Sequence, residues 1–355
     1  MQIRAVRGAL PIHRYRQEQI TEQFIATVGD GTSARLVRRI HANCGVDYRH
    51  TALPLEQYGN IRDFGAANDA YLGAAVDLGA RALVAAADAA GVPLDEIDLL
   101  ISATVTGLAI PSLDARIIGQ LPMREDTVRM PLVGLGCVAG AAGISRLNDY
   151  LLGHPDQTAA LVAVELCSLT LQSGDRSTAN IVASGLFGDG AAAVIAVGSQ
   201  RAARRGGPSI VATRSRLYPN SERTMGFDVT SSGLQIVLDA SVPAVVQKYL
   251  AEDVDRFLTD HQLSRSDIGW YVAHPGGPKV LEAMACALGL SADEFAVTWK
   301  SLAQIGNLSS ASVLHVLADT LQDRPPPAGS YGLLIAMGPG FCSEIVLLRA
   351  SEQTG

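Results

Sequence analysis

VGLGCVAGAAG, Val133 to Gly143, is the stretch on which the reading of this chain turns. An apolar run, RMPLV, precedes it, and a helical-looking run, ISRLNDYLL, follows. Gly134, Gly136 and Ala139 satisfy G-x-G-x-x-A, the spacing with which a strand–turn–helix unit cradles a dinucleotide's diphosphate on backbone N–H groups. The same run sets Cys137 at the strand–helix junction, where a helix dipole favours a thiolate and small neighbours let a substrate approach. The turn either holds a diphosphate or aims a thiol. A small buried cysteine with no chemistry is the third possibility.

The totals bound the answer. The chain has 355 residues, 48% hydrophobic and 18% charged, which is the composition of a globular protein with a large core. A net charge of -7 argues against a general nucleic-acid binder. The sequence has no uninterrupted apolar run of the roughly 18 residues a membrane span needs, and MQIRAVRGALPIHRYRQEQ lacks the apolar core of a signal peptide. A cytoplasmic location is therefore expected. Five cysteines, odd in number and without a C-x-x-C pair, fit a reducing compartment and no structural zinc.

Around the opening stretch, the pattern alternates. A long Ala-rich helix is expected over 66–91, strands over 97–105 and 129–135, a helix over 138–153, a strand over 158–166 and a hairpin-like pair around 187–198. The second half varies the same theme: helix 239–263, strand 268–273, helices 276–289 and 309–322, then strands 331–337 and 342–349 flanking Gly338, Pro339 and Gly340. This predicts an α/β fold of two similar βα halves, 1–205 and 206–355, divided within SQRAARRGGPS. Right-handed crossovers predict mostly parallel central strands covered by helices.

Partners decide between the thiol and the diphosphate. For a dinucleotide, an acidic residue should end the next strand, and Glu165 does. For a thiol, YVAHPGG places His274 just after an apolar strand, where open α/β sheets present functional groups. QIGNLSSAS places Asn307 in a polar turn, with Ser309 or Ser310 able to cap the following helix. His13, His41, His50, His154 and His261 read as exposed or loop-borne, and His315 falls in an amphipathic helix. Cysteine, histidine and asparagine supply a nucleophile, a base and an amide donor. Decarboxylation of a malonyl thioester suits them: it generates its own carbanion and needs N–H donors for the thioester oxygen as it becomes an enolate.

GLGCVAGAAG, LFGDGAAAVI, WYVAHPGGPKVLEA, GNLSSAS and the final GPG, in that order, resemble the type III polyketide synthases, the chalcone-synthase-like branch of the thiolase-fold enzymes. The resemblance runs from about Arg35 to Arg349. It implies a thiolase-like fold, an α-β-α-β-α layering, a homodimer, and no cofactor beyond coenzyme A thioesters as substrates. It implies that Cys137 carries the acyl chain, that His274 keeps it as thiolate, and that His274 and Asn307 hold the malonyl thioester. Phe187 would be an aromatic gate favouring loss of carbon dioxide. Thr106, Cys167, Thr170, Ile236 and Ser309 would line the cavity, Gly338 and Pro339 would shape a loop beside it, and Ile110 would reach the partner's cavity. Arg35, Arg38, Arg39 and Gly276 would meet coenzyme A. Asn43 and Leu36 depart from the basic pattern of the plant enzymes at that site.

The expected starter is a fatty acyl-CoA, extended by malonyl-CoA to an alkyl pyrone or alkyl resorcinol, because Thr106 and Cys167 resemble the small residues of long-chain bacterial members. Two rivals stay open. A ketoacyl-acyl-carrier-protein synthase III would condense once. A nicotinamide-dependent oxidoreductase would use the glycine turn and have no need of Cys137.

Overall fold

The computed structural model describes residues 1–29, 33–202 and 206–352. The boundary expected after residue 205 lies outside the described residues. In chain order the strands are β1 (Gln2–Ala9), β2 (His13–Arg16), β3 (Tyr48–Thr51), β4 (Leu99–Thr104), β5 (Val128–Val133), β6 (Thr158–Leu166), β7 (Asp189–Val197), β8 (Ser209–Leu217), β9 (Met225–Thr230), β10 (Gly233–Leu238), β11 (Ile268–Ala273), β12 (Tyr331–Gly338) and β13 (Cys342–Arg349). The α-helices are α1 (Gln17–Val28), α2 (Ala34–Ala42), α3 (Phe64–Ala90), α4 (Leu113–Gln120), α5 (Ala139–Gly153), α6 (Thr178–Leu186), α7 (Val242–Asp260), α8 (Pro278–Leu288), α9 (Ala296–Ile305) and α10 (Ser312–Asp323).

Nine strands form one sheet in the order β11-β12-β13-β8-β1-β7-β6-β4-β5. Its two parts repeat one topology. β4 lies parallel to β6, β6 antiparallel to β7, and β7 antiparallel to β1. Likewise β11 lies parallel to β12, β12 antiparallel to β13, and β13 antiparallel to β8. The parts meet where Gln2 of β1 pairs with Ser209 of β8. The first part adds β5 as an edge strand, parallel to β4.

Strand alternation builds the layers. Ala159, Leu161 and Ala163 of β6 face a core that also holds Val138, Ile144 and Leu147, with Val313, Leu314 and Leu317 of α10 and Leu334 and Ala336 of β12. α5 and α10 are thus the central layer, packed on both parts of the sheet. The alternate residues Ala160, Val162 and Val164 face Ala75, Leu83 and Ala86 of α3. Leu333 and Ile335 of β12 face Val246 and Leu250 of α7 and Leu281 of α8. The order is α-β-α-β-α. α3 is long and apolar enough to cross a membrane by length and composition, yet half of that window is buried in the protein.

Two expectations are corrected, and one strand was not foreseen. The strands are not mostly parallel, because β6 and β7 join at one end of the sheet, Leu166 opposite Asp189, and β12 turns straight into β13, Gly338 opposite Cys342. Residues 189–197 form one strand rather than half of a hairpin-like pair. The N-terminal segment is a strand between β7 and β8, hidden from hydropathy by Arg4 and Arg7.

Candidate functional site

The site gathers at the carboxyl ends of strands, where open α/β sheets present ligands. β4 leads to Val105 and Thr106, β5 to Cys137, β6 to Cys167, β11 to His274 and β12 to Pro339. Cys137 sits in a single 3-10 turn, Gly136–Val138, just before α5. Gly136 has φ 54°, and a Cβ there would stand 2.7 Å from Pro339 Cγ, so the turn needs glycine on both counts. At Gly140, one turn on, a Cβ would stand 2.3 Å from the Ser310 carbonyl oxygen. The start of α5 is therefore packed against the turn that opens α10 and against the β12–β13 loop.

That packing leaves no room for a diphosphate. Glu165, the acidic residue a ribose would need, is fully buried, and its carboxyl accepts from Val105 N (3.1 Å), Thr106 Oγ1 (2.8 Å) and Ser310 Oγ (2.5 Å). Burial pushes its pKa up. It ties the end of β4 to the start of α10. The rival reading of Gly134, Gly136 and Ala139 as a dinucleotide turn is thus not supported by the geometry.

Cys137 is 5% exposed, and its thiol donates to Ser309 Oγ at 3.8 Å. Burial pushes the thiol up to about 12, so the helix start alone does not yield the thiolate expected from the sequence. It lines a cavity with about 480 Å³ of empty space. Thr106, Cys167, Thr170, Phe187, Ile236, Ser309 and Pro339, all foreseen, line it too. Gly338 ends β12 against Val138.

His274 continues β11, its N–H donating to Ile335 O at 2.9 Å. Its ring is buried, neither nitrogen has a partner among the described residues, and burial pushes its pKa down to about 3. Asn307 follows α9, and its Oδ1 accepts from Ser309 N (2.8 Å) and Ser312 Oγ (3.5 Å). That orientation leaves Nδ2 without a protein acceptor among the described residues. Phe187 and Asn307 form a parallel bridge: Asn307 N donates to Leu186 O and Gly188 N to Asn307 O, both at 2.9 Å. His274, Gly276 and Asn307 line a second cavity of about 310 Å³, and Met225 belongs to both cavities. Unpaired N–H donors thus face a cavity adjoining a buried thiol, an arrangement able to hold a developing oxyanion and pass an acyl group to sulfur.

Not every expected residue joins them. Ile110 is 99% exposed and lines neither cavity of its own chain. Arg35, Arg38 and Arg39 lie exposed on α2, and Arg38 is already paired with Glu22 (Nε–Oε1 2.7 Å). His41, expected exposed, is buried, bonded to Thr21 Oγ1 (2.9 Å) and Ser184 Oγ (3.0 Å). The wall residues Met225, Gly226 and Phe227 were not foreseen. β9 has no strict apolar alternation to announce it, and its residues are mostly half-buried.

The family models for chalcone and stilbene synthases match the chain twice, the N-terminal domain over residues 2–201 and the C-terminal domain over 209–352. The chain is 51% identical over 349 residues to 1,3,6,8-tetrahydroxynaphthalene synthase of Streptomyces peucetius, covering 98% of this chain and 92% of that one. It is 30% identical to phloroglucinol synthase of Pseudomonas fluorescens, over 95% of each chain. The crystal structure of 1,3,6,8-tetrahydroxynaphthalene synthase from Streptomyces coelicolor, a bacterial type III polyketide synthase, matches with a TM-score of 0.93 at 30% identity over all of both chains.

Proposed function

The chain belongs to the chalcone and stilbene synthase family, and from that premise we propose that this type III polyketide synthase builds a polyhydroxylated aromatic from malonyl-CoA alone. The product class is supported by the relatives. 1,3,6,8-Tetrahydroxynaphthalene has a ten-carbon skeleton with oxygens on alternate carbons, the pattern that two-carbon ketide units leave, and it carries no foreign starter.

The observation that carries the mechanism is the buried His274 ring, neither of whose nitrogens has a partner among the described residues, beside Asn307, whose Oδ1 is held by Ser309 N and Ser312 Oγ. The neutral ring has one N–H to give and one nitrogen to accept. In the proposed cycle the thiol of Cys137 passes its proton to His274 as sulfur attacks the incoming thioester. Burial opposes a charge on either group alone, so the transfer awaits the substrate. The acyl group moves to sulfur and coenzyme A leaves. The next malonyl thioester then loses carbon dioxide. Its C–C electron pair becomes an enolate, and the oxygen is held by N–H groups of His274 and Asn307. The enolate carbon attacks the Cys137 thioester, the C–S bond breaks and the electron pair stays on sulfur. The lengthened chain is now a coenzyme A thioester, and attack by the Cys137 sulfur returns it to the enzyme as coenzyme A leaves with a proton from His274. Phe187, beside both groups, offers the departing carboxylate an apolar face. Gly276 and the exposed Arg35 and Arg39 are proposed contacts for coenzyme A; Gly45, just after α2, lies against Pro278, so this helix borders the His274 turn.

Two further parts of the proposal have their own support. A homodimer is supported by Ile110 together with exposed Leu108 and Val133, apolar groups at the same end of β4 and β5. Work in a reducing compartment, the cytoplasm, is supported by five free cysteines.

The test is mass spectrometry of products from malonyl-CoA alone and with acyl-CoA starters of increasing length. A ten-carbon aromatic from malonyl-CoA alone is expected. Strong preference for a long acyl starter, with alkyl pyrones or resorcinols, would replace the malonyl-primed reading by the fatty-acyl one. A single-extension ketoacyl thioester would replace both.

A further inference from the structure

We propose that Arg49 is a positioning residue that sets Phe187 and Asn307 together from beneath. This rests on the reading of those two residues given above. Arg49 lies on β3 and is 2% exposed. It makes no ion pair with any described residue. Instead Nη1 donates to Ser184 O at 2.6 Å and Phe187 O at 2.8 Å. These carbonyls belong to the end of α6, whose last turn has no basic residue of its own. A helix C-terminus carries partial negative charge, and Arg49 meets it from a different element.

The stem of Arg49 does as much as its head. A Cβ at Gly306 would stand 3.1 Å from Cγ and Cδ of Arg49, and one at Gly188 3.5 Å from Cγ. The stem therefore underlies both segments of the bridge, Phe187–Gly188 and Gly306–Asn307. One side of the bridge gives the cavity at Cys137 its phenyl wall, and the other gives the cavity at His274 its amide. Nε and Nη2 of Arg49 are buried without a partner among the described residues. Burying a guanidinium with two unmet donors is costly to the fold. Two carbonyl caps are a small structural return, whereas the placing of two site residues at once gives the arginine a function.

The experiment compares Arg49→Met, which keeps an unbranched stem and removes the fork, with Arg49→Lys, which keeps the charge. Malonyl-CoA decarboxylation gives kcat and KM. Peptide-resolved alkylation by iodoacetamide gives the reactivity of Cys137, which the bridge does not carry. In Arg49→Met, kcat is expected to fall about tenfold or more, on the scale of a misplaced oxyanion donor, with KM and alkylation within about twofold. Arg49→Lys is expected to regain most of the loss.

Unchanged kcat would overturn the proposal. So would a parallel fall of kcat and alkylation in both variants, which marks a merely structural residue. Should Arg49→Met not fold, Arg49→Gln, which has no charge and cannot fork across both carbonyls, carries the test: a lowered kcat with unchanged alkylation supports positioning, and equal changes overturn it. A wild-type protein that does not decarboxylate malonyl-CoA would sink the reading of His274 and Asn307 instead. Crystal structures of wild type and Arg49→Gln then decide the positioning claim alone: a joint shift of Phe187 and Asn307 supports it, and both staying in place overturns it.

Discussion

α5 and α10 hold equivalent places in the two halves, each a central helix leading to the middle strand of its part of the sheet, β6 or β12. Their starts are built oppositely. The α5 start is made of small groups, Gly136, Ala139 and Gly140, and offers one polar side chain, the Cys137 thiol, with Ser309 Oγ as its only partner. The α10 start is a knot of polar bonds: Ser312 Oγ accepts from Leu308 N at 2.6 Å, and Asn307 Oδ1 takes both Ser309 N and Ser312 Oγ. A nucleophile needs open access to carbon, so its turn is stripped of side chains. An oxyanion donor needs a fixed direction, so its turn is over-bonded. Duplication of one topology supplies two helix starts facing each other, and the chemistry is divided between them.

That division is broken most severely at the sulfur. Cys137→Ala is expected to abolish polyketide formation while malonyl-CoA decarboxylation persists, because His274 and Asn307 remain. Product analysis and carbon dioxide release, measured on the same sample, check this. Full product yield from the alanine variant would falsify the assignment of the thiol. Asn307→Ala attacks the other start. Loss of one oxyanion donor typically costs about 10²–10³ in rate, so decarboxylation and condensation should fall together by that order, while alkylation of Cys137 continues. If only condensation fell, the division of labour would be drawn in the wrong place.

A third substitution leaves every reacting group untouched and removes the fit between the two starts. Gly140→Ala puts a methyl where 2.3 Å separates it from a backbone carbonyl, which cannot swing away like a side chain. Overpacking of this kind costs about 1–3 kcal/mol. A lowered melting temperature is expected, with both activities reduced in the folded fraction. A wild-type melting curve would mean that the starts do not bear on each other.

How far this was legible in the sequence follows from the same contrast. The stripped turn announces itself, because Gly134, Gly136 and Gly140 around one cysteine are a local pattern. His274 and Asn307 were legible by the company of Pro-Gly-Gly and Gly-Asn turns, and by the resemblance those motifs carry. Distance effects were not. Nothing near Cys137 in sequence shows that Ser310 closes its helix start, so the diphosphate spacing stood as a rival until Gly140 was seen against Ser310 O. Arg49 sits in DYRHTAL with no local mark, since its partners lie more than 130 residues away. β1 drew no reading from the sequence, because Arg4 and Arg7 break its apolar run. Strand direction was misjudged for a related reason: hydropathy records burial and is silent on which end of the sheet a connection returns to.

The smallest expected effect separates the helices by pH. α10 carries His315 in its first turn, and α5 has Ala142 at the corresponding place. The ring packs over Gly8, and its nitrogen Nε2 lies 2.9 Å from Ala191 O. A carbonyl only accepts, so the neutral ring holds its proton on Nε2. Burial pushes His315 down to about 4, as it does His41 to about 4 and His274 to about 3, against an ordinary 6.5. Below pH 6.5 the unfolded chain therefore binds protons that the folded chain refuses until about pH 4. The stability these groups contribute is complete above 6.5 and is lost as pH falls through that window. Asp189 works the other way: burial raises it from 3.8 to about 6, so the folded state gains as pH falls through 6. Glu165, Asp319 and Glu344 are raised by burial as well, and His50 is lowered; the three deeply buried imidazoles carry the part of the melting temperature that drops between pH 7 and 4.5. His315→Gln, able to keep a donor on Ala191 O, should flatten that drop. Hydrogen exchange locates the effect. Peptides over 306–323 should lose protection at pH 5 before those over 137–153, and equal loss in both would erase the distinction between the two helices.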